Sequence, residues 1–88
     1  MIQNKEFIKR KIGTQFVIVA VGEASRRFNG MISVNSTGAF IWDVLEKETD
    51  EAGLIRALTE HYEVDAAKAK ADCAAFLKAL REAGAIIE

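Results

Sequence analysis

The sequence predicts an α+β domain in which a three-stranded antiparallel N-terminal sheet is followed by three helices. Two observations carry that class. Up to Val34, β-branched and aromatic residues stand at strand-like spacing, broken by Gly13, Gly22 and Gly30. From Ser36 onward, apolar residues recur every three or four positions, and residues able to cap helices stand at the head of each run. With 88 residues there is room for a single core, so residues 1–88 are read as one domain.

Each element has its own signal. In "EFIKRKIG", Phe7 and Ile8 stand beside charged residues and the run stops at Gly13, which reads as a first strand. "TQFVIVAVG" is rich in β-branched residues, stops at Gly22, and reads as the best-buried strand. Gly13-Thr14 between them suits a tight hairpin turn. "GEASRRFNG" reads as a polar connection ending in the turn dipeptide Asn29-Gly30, and "MISVN" as a short third strand. Ser36 or Thr37 caps a first helix with Phe40, Ile41, Val44 and Leu45 on one side. Trp42, next to Ile41, either packs in the core or lines the edge of a binding surface.

Thr49 or Asp50 caps a second helix carrying Leu54, Ile55, Leu58 and Tyr62 at the spacing of a buried stripe. After a turn at Glu63-Val64, Asp65 caps a third helix whose stripe is Ala69, Cys73, Phe76, Leu80 and Ala83, with Gly84 as its C′ residue. "AIIE" is a final short strand or an apolar tail. A second and third helix joined by a tight turn beside a sheet make a winged helix-turn-helix-like plan.

Composition narrows the function. Half the residues are hydrophobic and 28% are charged, as in globular proteins. Residues 1–30 hold six basic and two acidic residues, a net of +4, whereas residues 31–88 hold six basic and eleven acidic ones, a net of −5. Nucleic-acid binders concentrate basic charge on their reading helices, and here the helical part is the acidic part. The longest apolar run, "FVIVAV", is too short to span a bilayer, and "MIQNKEFIKRKIG" carries charges where a secretory signal has its apolar stretch. The expectation is a cytoplasmic protein with no nucleic-acid or membrane partner.

Residues suited to catalysis are sparse. His61 and Cys73 are the single histidine and the single cysteine, without the paired spacing of a zinc site. His61 reads as a helix-terminal residue and Cys73 as a small core residue; a Cys–His nucleophile pair would require the core to open. "GEASRRFNG" lacks the ending of a phosphate loop, and the carboxylates of "EKETDE" read as a solvated turn and helix start. No metal, no cofactor and no enzymatic activity are expected.

Two features point instead to peptide recognition. "MISVN" contains neither charge nor proline, the usual means of blunting a sheet edge, so an extended peptide can pair with it main chain to main chain. On the third helix, Lys70, Ala74, Leu77, Lys78 and Arg81 follow one another along a flank of the core stripe. This mixed strip reads either as an ordinary solvated face or as a groove wall whose cations meet acidic residues of a bound peptide. An open edge can also pair with its own copy, giving a homodimer.

The stretch from "FNGMISVNSTGAFIWDVL" to "AKADCAAFLKALREAGAI" resembles the PqqD-like family of peptide-binding domains, also called RiPP recognition elements. The resemblance covers roughly residues 7–87 and rests on "ISVNSTGAFIWDVL", "TDEAGLIRALTEHYEVD" and the final helix in combination. It implies a winged-helix-like domain without catalytic residues, which takes up the leader region of a precursor peptide as an added strand. The peptide is then presented to a modifying enzyme, often a radical SAM maturase. By position, the implied contacts are Met31, Ile32, Ser33, Val34 and Asn35 on the strand and Lys70, Ala74, Leu77, Lys78 and Arg81 on the helix. Ser36 departs from the acidic residue common before "TGAF" in that family. The alternative from another class is a winged-helix DNA-binding regulator, which the acidic helical part opposes. A third reading is a subunit that stabilises a partner enzyme by helix packing alone.

Overall fold

A computed structural model of the chain describes residues 1–28 and 30–88. Strand β2 (Phe7–Ile12) and strand β3 (Gln15–Ala20) form an antiparallel hairpin closed by Gly13-Thr14, with Phe7 opposite Ala20 and Ile12 opposite Gln15. Strand β4 (Met31–Val34) pairs antiparallel with β3, so the sheet order is β2-β3-β4. This is the three-stranded antiparallel sheet that the β-branched pattern predicts. Of the expected Asn29-Gly30 turn, Asn29 lies outside the described residues.

Strand alternation sorts the sheet into two faces. Phe7, Ile18, Ile32 and Val34 share the inner face, and Phe7 and Ile18 are buried in the core. Lys9 lies on that same face. Its ammonium reaches out to both carboxylate oxygens of Asp43, at 2.7 and 2.8 Å, while its charge sits 5.2 Å from the centre of the Phe16 ring.

Three helices cover the inner face. Helix α2 (Ser36–Val44) contributes Ile41 and Trp42, and Leu45 follows at its end. Helix α3 (Glu51–His61) contributes Leu54 and Leu58, and helix α4 (Ala66–Ala83) contributes Ala69, Cys73, Leu77 and Leu80. Each fully buried leucine or isoleucine contributes about 1.5–3 kcal/mol of transfer free energy. Trp42 is a core residue, 3% exposed. Asp50 caps α3 by accepting from the Gly53 N–H at 2.8 Å, and Asp65 caps α4 by accepting from the Lys68 N–H at 2.7 Å. The cap of α2 is Asn35, not Ser36 or Thr37: its side-chain oxygen accepts the Gly38 N–H at 2.8 Å. Asn35 leaves β4 in extended conformation, the geometry an N-cap needs, so the strand's last neighbour begins the helix.

The structure adds two elements to the expected order, a short helix and an N-terminal strand, and decides between the two readings of the C-terminal "AIIE". A short helix α1 (Ala24–Arg27) forms within the polar connection, because Glu6 Oε2 accepts the Ala24 N–H at 3.0 Å and the Ala24 side chain is buried. Strand β1 (Ile2–Gln3) pairs antiparallel with strand β5 (Ile86–Ile87) in a separate two-stranded ladder, so "AIIE" is a strand and not a tail. The β1 segment also meets helix-end carbonyls. Gln3 donates from its side chain to the Trp42 carbonyl at 2.6 Å and from its backbone to the Leu45 carbonyl at 2.9 Å. Asn4 donates from its side chain to the Gly84 carbonyl at 3.0 Å.

Candidate functional site

β4 uses one of its two edges. Val34 lies opposite Phe16, Ser33 opposite Val17, Ile32 opposite Ile18 and Met31 opposite Val19. Among the described residues no strand pairs with its other side. An edge of this kind holds main-chain donors and acceptors without strand partners. Met31, on the outer face, is 59% exposed.

Across from that edge runs α4, and a cleft of about 290 Å³ lies between them. Ile32, Ser33, Val34, Asn35 and Thr37 form one side; Asp72, Ala75, Phe76 and Ala79 form the other; Gly38 and Ile41 close the base. The base is set by a close approach. A Cβ on Gly38 would stand 3.2 Å from the Val34 Cβ and 3.3 Å from the Phe76 ring, so a side chain there requires the strand or the ring to give by a few tenths of an ångström. The Asn35 cap then holds α2 to the end of β4 and fixes where the strand stops. The helix wall from Asp72 to Ala79 is about 10 Å long at 1.5 Å per residue, and β4 from Met31 to Val34 also spans about 10 Å. The two walls are matched in length to a strand of three or four residues.

The cleft is apolar at its base and nearly neutral at its walls. Among the described residues lining it, Asp72 carries the one formal charge. Its carboxylate lies 3.5 Å from the Lys68 ammonium, an exposed pair one helical turn apart. Cys73, on the core side of the same helix, is fully buried, and burial pushes its thiol up to about 11, with the charges of Glu51 and Asp72 adding to the effect. That leaves no accessible thiolate for nucleophilic chemistry. The His61 ring stacks on Phe40 with centroids 4.3 Å apart. Among the described residues no group of three or more His, Cys, Asp or Glu side chains could hold a metal ion.

The strand residues Ile32, Ser33, Val34 and Asn35 line the cleft, with Met31 beside them on the outer face. On the helix, the residues lining the cleft differ from the expected strip, and Leu77 is corrected to a core residue. Leu77 is 0% exposed and belongs to the core. Lys70, Ala74, Lys78 and Arg81 are exposed but do not line the cleft, and Arg81 is held by Glu88 at 3.0 Å. At about 100° per residue, these four lie on one flank of the buried stripe, and Asp72, Ala75, Phe76 and Ala79 lie on the other. Periodicity locates a stripe but treats its two flanks alike, and the position of the sheet decides which one becomes the wall. The wall of the cleft has a sequence signal of its own: Ala75 and Ala79 are small residues one turn apart that flank the aromatic Phe76. Ser36, where the resemblance leads one to expect an acidic residue, is exposed, and its carbonyl lies 3.5 Å from the Tyr62 hydroxyl.

Among the described residues no helix is long and apolar enough to cross a membrane. No curated protein matches the chain. Two solved structures share its fold. One, TbiB1 in complex with the TbiA(beta) leader peptide, is 21% identical with a TM-score of 0.70, covering 93% of this chain and 90% of that one. The other, lasso peptide synthetase B1 complexed with the leader peptide, is 24% identical with a TM-score of 0.71, covering 98% and 95%. The family described as coenzyme PQQ synthesis protein D (PqqD) matches residues 15–86, from the start of β3 into β5. The chain therefore belongs to the PqqD family.

Proposed function

We propose that this protein binds the leader region of a ribosomally synthesised precursor peptide as an added strand on β4 and presents it to a modifying enzyme. The observation that carries the reading is the free edge of β4 facing α4 across a cleft of matching length. Strand addition divides the work: main-chain hydrogen bonds to β4 supply affinity, and alternate side chains entering the cleft supply selectivity. Membership of the PqqD family and the leader peptides present in both structures of the same fold support it. The protein acts as an adaptor in the cytoplasm, and the chemistry belongs to its partner, a radical SAM maturase. The sheet with α3, turn and α4 is read as winged helix-turn-helix-like. Under this reading a homodimer formed through β4 would occupy the edge that the peptide needs.

The DNA-binding alternative lacks support at α4. The part of the chain that holds α4 is net acidic, and one of the helix's four cations, Arg81, is held by Glu88, which weakens attraction for phosphate. The test measures the fluorescence anisotropy of fluorescein-labelled synthetic peptides that carry the leader sequences of candidate precursor peptides. Saturable anisotropy is expected for the wild type and for Ala74→Trp, and loss of binding for Ala75→Trp. Both alanines are exposed and adjacent on the helix, but one lines the cleft and the other does not. Absence of saturable binding, or equal binding by the two variants, overturns the proposal.

A further inference from the structure

Accepting the strand-addition reading, the remaining question is which peptide side chains this cleft prefers. Its base and walls are apolar or neutral except at Asp72, whose side chain is 40% exposed. Lys68 is a weak competitor for that carboxylate, being 64% exposed and 3.5 Å away in a solvated i,i+4 pair. The cations of α4's other flank, Lys70, Lys78 and Arg81, do not line the cleft. Among the described residues lining the cleft, the formal charge is therefore the Asp72 carboxylate, the reverse of what the basic strip led one to expect.

The spacing makes the preference specific. Asp72 and Phe76 are one turn apart on α4, about 6 Å along its axis. Side chains that point to the same face of a strand are two residues apart, about 6.5 Å. A strand laid along α4 thus sets one inward side chain against Phe76 and the next against Asp72. We infer that the cleft selects peptides with an apolar residue and a lysine or arginine two positions apart, and disfavours an acidic residue at the basic position. Lysine and arginine suit the place because their stems lie on apolar surface while the charged head reaches the rim.

The test is selection of displayed random 12-residue peptides against the immobilised wild-type protein and Asp72→Asn, a near-isosteric change at a partly exposed site. A peptide from the wild-type selection is then synthesised with Lys, Gln or Glu at the basic position. Wild-type binders should carry an apolar residue and a Lys or Arg two positions apart, in one consistent order, and Asp72→Asn should lose the basic preference while keeping the apolar one. The Lys peptide should bind about fivefold tighter than the Gln peptide, and Asp72→Asn should abolish the difference. Apolar peptides without charge preference, or the same preference for both proteins, overturn the inference and leave strand addition standing. No enriched peptide, with the protein sedimenting as a dimer through β4, overturns both.

Discussion

Leu77 and Phe76 are neighbours on α4 with different environments, and truncating each separates the core from the cleft. Leu77 is 0% exposed, so Leu77→Ala loses its transfer free energy and leaves a cavity, about 3 kcal/mol in all. A chain of this size has a stability of about 4–13 kcal/mol, and about 3 kcal/mol lowers the melting temperature by about 12–24 °C. Phe76 is half-buried and turns part of its ring to the cleft. If a bound strand covers on the order of 60 Å² of that ring, the contact is worth about 1.5 kcal/mol, a little over tenfold in Kd. Thermal melts by circular dichroism and peptide anisotropy, both on the same samples, read the two effects. Measured well below its melting temperature, Leu77→Ala should bind within about threefold of the wild type, whereas Phe76→Ala should bind at least tenfold more weakly. If Leu77→Ala loses affinity without losing stability while Phe76→Ala binds normally, the flank assignment is wrong.

Three further outcomes follow from local geometry. Asn35→Ala removes the α2 cap and should cost about 1 kcal/mol, about 4–8 °C in a melt, while Asn35→Asp keeps the acceptor and most of the stability. Gly84 closes α4 at φ 77°, and a Cβ at that position would meet no atom within 4 Å. Gly84→Ala should therefore lose about 1 kcal/mol from backbone conformation alone in a urea titration. With its thiol at about 11, Cys73 is ionised to about one part in a thousand at pH 8, so alkylation of the native protein should be slow at that pH. Labelling should accelerate as urea unfolds the chain; rapid labelling without denaturant would refute the sealed core.

The sequence alone determined what depends on near neighbours. The β-branched run from Phe16 to Val21 makes a strand, Asp50 and Asp65 start helices, and Gly84 ends one, because each signal acts within a turn or two of its own position. The open strand at Met31–Val34 was legible for the same reason: its lack of charge and proline is a local property. The cap of α2 was displaced by one residue to Asn35, where strand exit and capping geometry coincide. Tertiary structure alone decided the pairing of β1 with β5, which joins residues more than eighty positions apart and has no two-residue signal strong enough to announce it. It also decided which flank of α4 meets the sheet. Buried residues on α4 repeat with the helix whichever side is occupied, so only the packing of α4 against α2 and α3, with Phe76 close to Gly38, turned Asp72, Ala75, Phe76 and Ala79 toward the cleft and left the basic strip in solvent.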